Sequence, residues 1–366
     1  MLKKTKRILI IANLDLGLYK FRKALIQRLL DDGNDVYISL PNGTLVKKME
    51  AMGCHFIETK VDRRGINPVT DFGLMLSYWN IMRNIKPDLV ISYTIKPNIY
   101  GGMVSRLLRI PYAVNITGLG TAFQSEGFVK KLVTFLYKLS CRKAKTIFFE
   151  NTGNQKVFLE NNIIRKNQSC ILSGAGIDLE EYPYTPYPKE RSPIHFLFIG
   201  RIMKEKGMDE LLEAAQHIKN EFLDTVFDIV GPMEDDYKNQ IESLVKHGII
   251  RYHGYQEDVK LLIKKSHCFV LPSYHEGMAN TLLEAGSMGR PLITSRIHGC
   301  MEAVEEGKSG YLIKVQDEEE LEDAIREFIR LPYEEKEKMG QASRRMMERR
   351  FDKRKVVEKT VEQLRD

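Results

Sequence analysis

Two short constellations in the second half of the chain carry residue types able to do chemistry. The first is Gly200-Arg201-Ile202-Met203-Lys204-Glu205-Lys206-Gly207. It follows the apolar run Ile194–Ile199 and opens a helical pattern, so it reads as a strand-to-helix junction. Free backbone N–H groups and the positive end of a helix favour a phosphate there, while Arg201 and Lys206 add full charges. The glycine spacing fits neither a Walker loop nor a GxGxxG dinucleotide turn. Taken alone, the junction serves equally well as a turn with a solvated basic rim.

The second constellation is Pro272-Ser273-Tyr274-His275-Glu276-Gly277-Met278-Ala279-Asn280-Thr281-Leu282-Leu283-Glu284-Ala285. It begins at the carboxyl end of the run Cys268–Leu271, the end at which open α/β sheets bind ligands. Glu276 falls in the loop, and Glu284, eight residues on, stands about two turns into the following helix. Gly277 permits close ligand approach. The amides from Gly277 to Asn280 can grip polar groups, and Glu284 can accept hydrogen bonds from a ribose-like diol or pair with a cation.

The elements that must position these residues follow an α/β alternation. In the first half, Arg7–Ala12, Val36–Leu40, Leu89–Tyr93, Tyr112–Asn115 and Thr146–Phe149 read as buried strands, with Tyr19–Leu30 and Leu45–Met52 among the helical stretches between them. Such alternation predicts a parallel sheet covered on both faces. The pattern breaks at Tyr182–Pro193, where Pro183, Pro186, Pro188 and Pro193 give a linker composition. It restarts with strands at Ile194–Ile199, Val226–Val230, Ile249–His253, Cys268–Leu271 and Pro291–Thr294. The expected organisation is a doubly wound domain over 1–181, a hinge linker over 182–193, and a second such domain over 194–342. A charged, periodic terminal helix over 343–366 could cross back to the first domain.

Composition narrows the classes. With 366 residues, 43% hydrophobic and 29% charged, the chain is an ordinary globular protein of two-domain length. No apolar run approaches the roughly 20 residues of a membrane span, and no signal-peptide core follows the basic N-terminus. Cys54, Cys141, Cys170, Cys268 and Cys300 are scattered without a CxxC pair, which predicts a reduced, cytoplasmic protein with no cysteine zinc site. The net charge of +7 is asymmetric: residues 1–180 hold 27 Lys and Arg against 14 Asp and Glu, the remainder 29 against 35. The basic half therefore favours an anionic partner surface. It lacks the aromatic interleaving or recognition-helix pattern of a nucleic-acid reader, so no nucleic acid is expected.

Together the two constellations, Gly-Arg-x4-Lys-Gly and then Pro-Ser-x2-Glu-Gly-x6-Glu-Ala, resemble retaining glycosyltransferases of family 4. Supporting matches are His253-Gly254-Tyr255, Gly289-Arg290-Pro291-Leu292-Ile293 and Gly310-Tyr311-Leu312. Gly299-Cys300-Met301-Glu302-Ala303-Val304 and Tyr19-Lys20-Phe21-Arg22 are similar to the branch that builds capsules, O-antigens and lipid-linked oligosaccharides. The resemblance implies the α/β GT-B fold, two Rossmann-like doubly wound domains facing a cleft, and transfer of a hexose or N-acetylhexosamine from a UDP-linked donor to a polyprenyl-diphosphate-linked glycan.

Carried over by position, Arg201 and Lys206 would bind the donor diphosphate beside Gly200, and Glu284 the ribose. Glu276 and the amides of Gly277, Met278 and Ala279, next to Asn280, would hold the donor sugar, and the backbone at Tyr255 would meet the base. Glu276, Arg201 and Lys206 form the catalytic set, and Gly17 would face the diphosphate from the first domain. Two departures stand out. The first loop reads Leu14-Asp15-Leu16-Gly17-Leu18 where many members carry Gly-Gly, and Asn115-Ile116-Thr117-Gly118-Leu119-Gly120 lacks the usual histidine. His195, His253, His267 and His298 read as structural. With no DxD to hold a divalent ion, the resemblance implies metal-independent chemistry and no cofactor. Phe128–Lys145 places Phe128, Val129, Leu132, Phe135, Leu136 and Leu139 on an apolar face beside Lys131, Lys138, Arg142 and Lys145, a pattern suited either to core packing or to an anionic membrane surface. Peripheral attachment to the inner face of the cell membrane follows from the second alternative. A nucleotide-sugar 2-epimerase of the same fold and a non-catalytic anionic-surface module remain as rival readings.

Overall fold

The structure is a computed structural model that describes residues 5–62, 67–119, 127–189 and 193–365. Gly120 and residues 190–192 of the expected linker lie outside the described residues. The chain forms two compact units, one ending at Ala175 and taking up the chain again from Arg354, the other spanning Gly176–Lys353.

In the first unit, β1 (Arg7–Ile11), β2 (Asp35–Leu40), β3 (His55–Glu58), β4 (Leu89–Tyr93), β5 (Tyr112–Ile116), β6 (Thr146–Phe149) and β7 (Ser169–Ile171) pair in parallel in the order β3-β2-β1-β4-β5-β6-β7. Side chains alternate across a strand, and β1 uses both faces. Ile8 and Ile10 join one core with Leu25, Ile26 and Leu29 of the helix Asp15–Asp31. Leu9 and Ile11 join another with Leu74, Tyr78 and Met82 of the helix Pro68–Ile85. A strand buried on both sides reads as the continuous apolar run the sequence shows.

The second unit repeats the plan with β8 (Ile194–Ile199), β9 (Thr225–Val230), β10 (Ile250–Tyr252), β11 (Cys268–Leu271), β12 (Leu292–Ser295) and β13 (Gly310–Ile313), parallel in the order β10-β9-β8-β11-β12-β13. Strand order reverses between β8 and β11, which creates a ligand-binding crevice at their carboxyl ends.

Two boundary expectations change. The stretch Tyr182–Lys189 is a strap on the second unit rather than a free hinge. Tyr187 is buried and its hydroxyl donates to the His267 carbonyl at 2.9 Å. The fully buried Arg290 guanidinium draws the strap in, because it finds its acceptors among main-chain oxygens, those of Ile263, Lys264, Thr185 and Pro186 included, together with the Thr185 hydroxyl. A buried cation without such partners would be very costly. The tail, expected as one helix over 343–366, is instead two: Tyr333–Met346, continued by a π-turn at Met347–Phe351, and Lys353–Leu364. The break falls where the Ile177 amide donates to the Phe351 carbonyl and the Lys353 amide to that of Ile177. Beyond it, Val356, Val361 and Leu364 bury against the first unit's β1–β2 core.

Candidate active site

The loops after β8 and β11 meet at the second unit's crevice, and their backbones touch. Gly207 has φ +71°, and a Cβ there would lie 2.1 Å from the Pro272 carbonyl oxygen. The Tyr274 amide donates to the Glu205 carbonyl at 2.9 Å. Gly231 allows an equally close approach, since its Cβ would fall 1.7 Å from the Gly200 oxygen. A larger residue at Gly207 would push the two loops apart, and one at Gly231 would press the loop after β9 against the start of the β8 loop.

That contact brings the charged side chains together. Lys206 Nζ is hydrogen-bonded and ion-paired to Glu276 Oε1, with side-chain exposures of only 16% and 13%. Ser273 donates to the same carboxylate oxygen at 3.0 Å. Arg201 stands at the outer edge, paired with Glu234 at 2.7 Å. The predicted phosphate-binding cations are thus both present at the crevice, each against a carboxylate. The amides expected to help them are mostly engaged elsewhere. Those of Gly200, Ile202, Lys206 and Gly207 donate to main-chain carbonyls, and that of Lys204 to Asp235. An anion at this junction therefore draws chiefly on side chains.

The loop Glu276–Asn280, expected to hold the donor sugar, differs from expectation in one respect. Ala279 N–H donates to the Gly299 carbonyl at 2.9 Å, so it is already committed. Gly299, at φ +94°, packs so tightly on this loop that a Cβ would stand 2.7 Å from the Glu276 oxygen. Its amide is held by Glu302 Oε2 at 2.6 Å, and the other oxygen of Glu302 bonds His298 at 2.9 Å. His298 is exposed, on a loop braced against Glu276. Cys300 lies beneath, its thiol pushed up by burial and by the Glu276 charge.

Glu284 sits in the helix Asn280–Ser287, and its partner went unnoticed in the sequence. Tyr182, read as the first linker residue, hydrogen-bonds Glu284, and burial together with that carboxylate raises the phenol well above its ordinary value. Asn280 opens the same helix, and Met278 is buried under it. Tyr255 is 59% exposed and follows Gly254, whose carbonyl accepts from Gly231. Gly17 occupies the first turn of the helix Asp15–Asp31 in the other unit, with open space around it.

Three other histidines, His195, His253 and His267, are tied into the second unit by hydrogen bonds. His195 and His253 share Asp228 at 2.8 and 2.7 Å. Burial alone would raise the Asp228 carboxyl, but these two hydrogen bonds outweigh it and hold the group below the usual carboxylate range. His267 accepts from the His195 amide through Nδ1 at 3.0 Å.

Comparison with known proteins gives the geometry a context. The family model for glycosyl transferases group 1 matches residues 186–346, and that for glycosyl transferase 4-like domains matches residues 7–151. A Campylobacter jejuni N,N'-diacetylbacillosaminyl-diphospho-undecaprenol alpha-1,3-N-acetylgalactosaminyltransferase is 26% identical over 87% of this chain and 88% of its own. An Escherichia coli UDP-Gal:alpha-D-GlcNAc-diphosphoundecaprenol alpha-1,3-galactosyltransferase is 28% identical over 69% of each. Among solved structures, a glycosyltransferase from Rickettsia africae superposes with TM-score 0.82 at 18% identity, covering 98% of both chains. Anabaena HepE in complex with UDP and glucose gives 0.80 at 16% identity, over 98% of this chain and 99% of that one. The two domain matches, the full-length likeness to named transferases and the paired parallel sheets lead to one conclusion: this chain belongs to the group 1 and 4-like glycosyltransferases of GT-B fold.

Proposed function

We propose that the chain is a retaining transferase that moves a hexose or N-acetylhexosamine from a UDP-sugar to a polyprenyl-diphosphate-linked glycan. The observation that carries the reading is the ion pair of Lys206 with Glu276, which joins the loops after β8 and β11 at the carboxyl ends of those strands, with Arg201 in the same loop as Lys206. The relatives named for undecaprenyl-diphosphate acceptors support the acceptor class, and the neighbour holding UDP supports the donor class.

The present pairings prepare the site for such a donor. In this reading Lys206 exchanges Glu276 for phosphate oxygen, which leaves the Glu276 carboxylate to accept hydrogen bonds from sugar hydroxyls. Arg201 makes the same exchange with Glu234. Glu284, oriented by Tyr182, accepts from the ribose diol, and the backbone at Tyr255 borders the base. As the bond from anomeric carbon to β-phosphate oxygen breaks, charge grows on that oxygen, and the two cations stabilise it without a divalent ion. The acceptor hydroxyl then bonds to the same face of the carbon and gives its proton to the departing phosphate. Positioning and electrostatics supply the acceleration, with no carboxylate nucleophile.

The first unit offers a membrane face. In the helix Phe128–Cys141, Tyr137, Ser140 and Cys141 are buried, while Phe128 is 78% and Phe135 56% exposed. Phe128, Leu132, Phe135 and Leu139 recur at helical spacing on the outward side, flanked by exposed Lys131 and Lys138. Lys145 leaves the expected basic stripe, because it bonds the carbonyls of Leu364 and Arg365. An apolar stripe with a basic flank fits peripheral binding to anionic lipid. The test of the whole reading is transfer from UDP-sugars to a synthetic short-chain polyprenyl-diphosphate N-acetylhexosamine in EDTA, with product stereochemistry read by NMR. An inverted anomer, or strict dependence on a divalent ion, would refute it.

A further inference from the structure

The first unit carries one β-branched residue that departs from local backbone rules at the carboxyl end of its sheet, the end at which open α/β sheets bind ligands. Its sheet reverses strand order between β1 and β4, and Thr94 is the first residue after β4. Thr94 has φ +72°. Among the described non-glycine residues with positive φ, namely Lys86, Thr94, Arg109, Asn162 and Gln316, it alone is β-branched. A β-branched side chain in the left-handed region is a genuine outlier, and such strain persists only where the surroundings enforce it.

The surroundings here do enforce it. The Thr94 carbonyl accepts from the Asn98 amide at 2.9 Å. Two residues on, Lys96 Nζ bonds Asp71 Oδ1 at 2.6 Å, and the Tyr100 hydroxyl donates to Asp71 Oδ2 at 2.9 Å. The chain then enters a π-helical turn at Pro97–Gly101, a form concentrated at functional sites. A second departure coincides with the first. Thr94 is partly exposed, yet its hydroxyl is the buried end of the side chain and has no hydrogen-bond partner. Buried hydroxyls are nearly always paired, so both the backbone and the side chain of one residue stand uncompensated.

We propose that Thr94 is an acceptor-binding residue, its hydroxyl reserved for a hydroxyl group of the acceptor sugar. Rotation about χ1 exchanges the buried hydroxyl with a neighbouring staggered position and turns it outward at the carboxyl end of β4. The acceptor then supplies the partner that the fold withholds. This inference rests on the transferase reading above, with the donor held by the second unit.

The test uses the full chain and four readouts: thermal unfolding, UDP affinity, KM for the short-chain polyprenyl-diphosphate N-acetylhexosamine, and kcat. Thr94→Val keeps the shape and removes the unpaired hydroxyl, so its unfolding midpoint should rise while acceptor KM rises at least tenfold and UDP affinity stays within twofold. Thr94→Ser keeps the hydroxyl and should hold acceptor KM within threefold of the parent. Acceptor KM unchanged in Thr94→Val, an equal loss in both variants, or a Thr94→Val protein less stable than the parent would each overturn the proposal. A parent chain that neither binds UDP nor transfers sugar would instead sink the transferase reading itself.

Discussion

Lys206 is asked to do two things, and they can be separated experimentally. It neutralises Glu276 within the folded unit, and in the proposed reaction it stabilises the departing diphosphate. Lys206→Met keeps the length of the side chain and removes its charge. Glu276 is then left largely buried, with the hydrogen bond from the Ser273 hydroxyl beside it. Breaking a fully buried pair destabilises by about 3–5 kcal/mol, and the residual exposure here reduces that to roughly 2–3 kcal/mol. For a unit of this size such a loss lowers the unfolding midpoint by about 4–10 °C. Adding Glu276→Gln removes the stranded charge, so the double variant should recover most of the midpoint. Activity follows the other role. Charge-assisted contacts to phosphate contribute about 1.5–3 kcal/mol, so kcat/KM falls roughly 10- to 150-fold in Lys206→Met and does not recover in the double variant. Calorimetry and single-donor kinetics on the parent and the three variants complete the cycle. If Lys206→Met with Glu276→Gln regained activity along with stability, Lys206 would be a structural residue and the leaving-group argument would fail.

Three further outcomes are expected. Glu284→Gln should weaken UDP about tenfold by titration calorimetry, whereas Glu276→Gln should spare UDP and lower turnover of the full nucleotide sugar, because only the first carboxylate is assigned to the ribose. Equal losses of UDP affinity in both would overturn that assignment. Burial, with repulsion from His195, Lys336 and Arg290, pulls His267 from 6.5 to about 4. The unfolded chain therefore takes up a proton between those pH values that the folded one refuses, and stability is full above pH 6.5 and falls as pH drops. The loss between pH 7 and pH 5 is about 2 kcal/mol, and denaturant titrations of His267→Asn should lack that share of the slope. Vesicles with anionic lipid should bind the chain in a salt-sensitive manner. Lys131→Glu with Lys138→Glu should weaken sedimentation with them at least roughly 30-fold, at about 1 kcal/mol per basic residue lost. Equal binding by the double variant would remove that helix as the contact.

The interior strands were legible in the sequence for a physical reason. Strands such as Leu89–Tyr93 and Cys268–Leu271 are buried on both faces, so their composition alone marks them, and the loops that follow them inherit the ligand-binding end of the sheet. This is why Arg201, Lys206, Glu276 and Glu284 stand out in the sequence. The strands β3, β7 and β13 were not recognised, and all three are sheet edges of three or four residues. β3 and β7 mix polar and apolar residues over four and three positions, too few to show a period.

What the sequence determined by itself was the order of elements and the identity of the charged loop residues, since both depend on local pattern. Tertiary structure alone decided the partners. Arg290 converted a proline-rich stretch into a strap, which carried Tyr182 to Glu284 across a hundred residues of sequence. Gly299 took the Ala279 amide away from any ligand. Thr94 was invisible in the sequence because a threonine after a strand is ordinary; only its left-handed backbone and unpaired hydroxyl set it apart. Hydrogen-bond partners and backbone angles are properties of residues brought together from distant parts of the chain, and no local period encodes them.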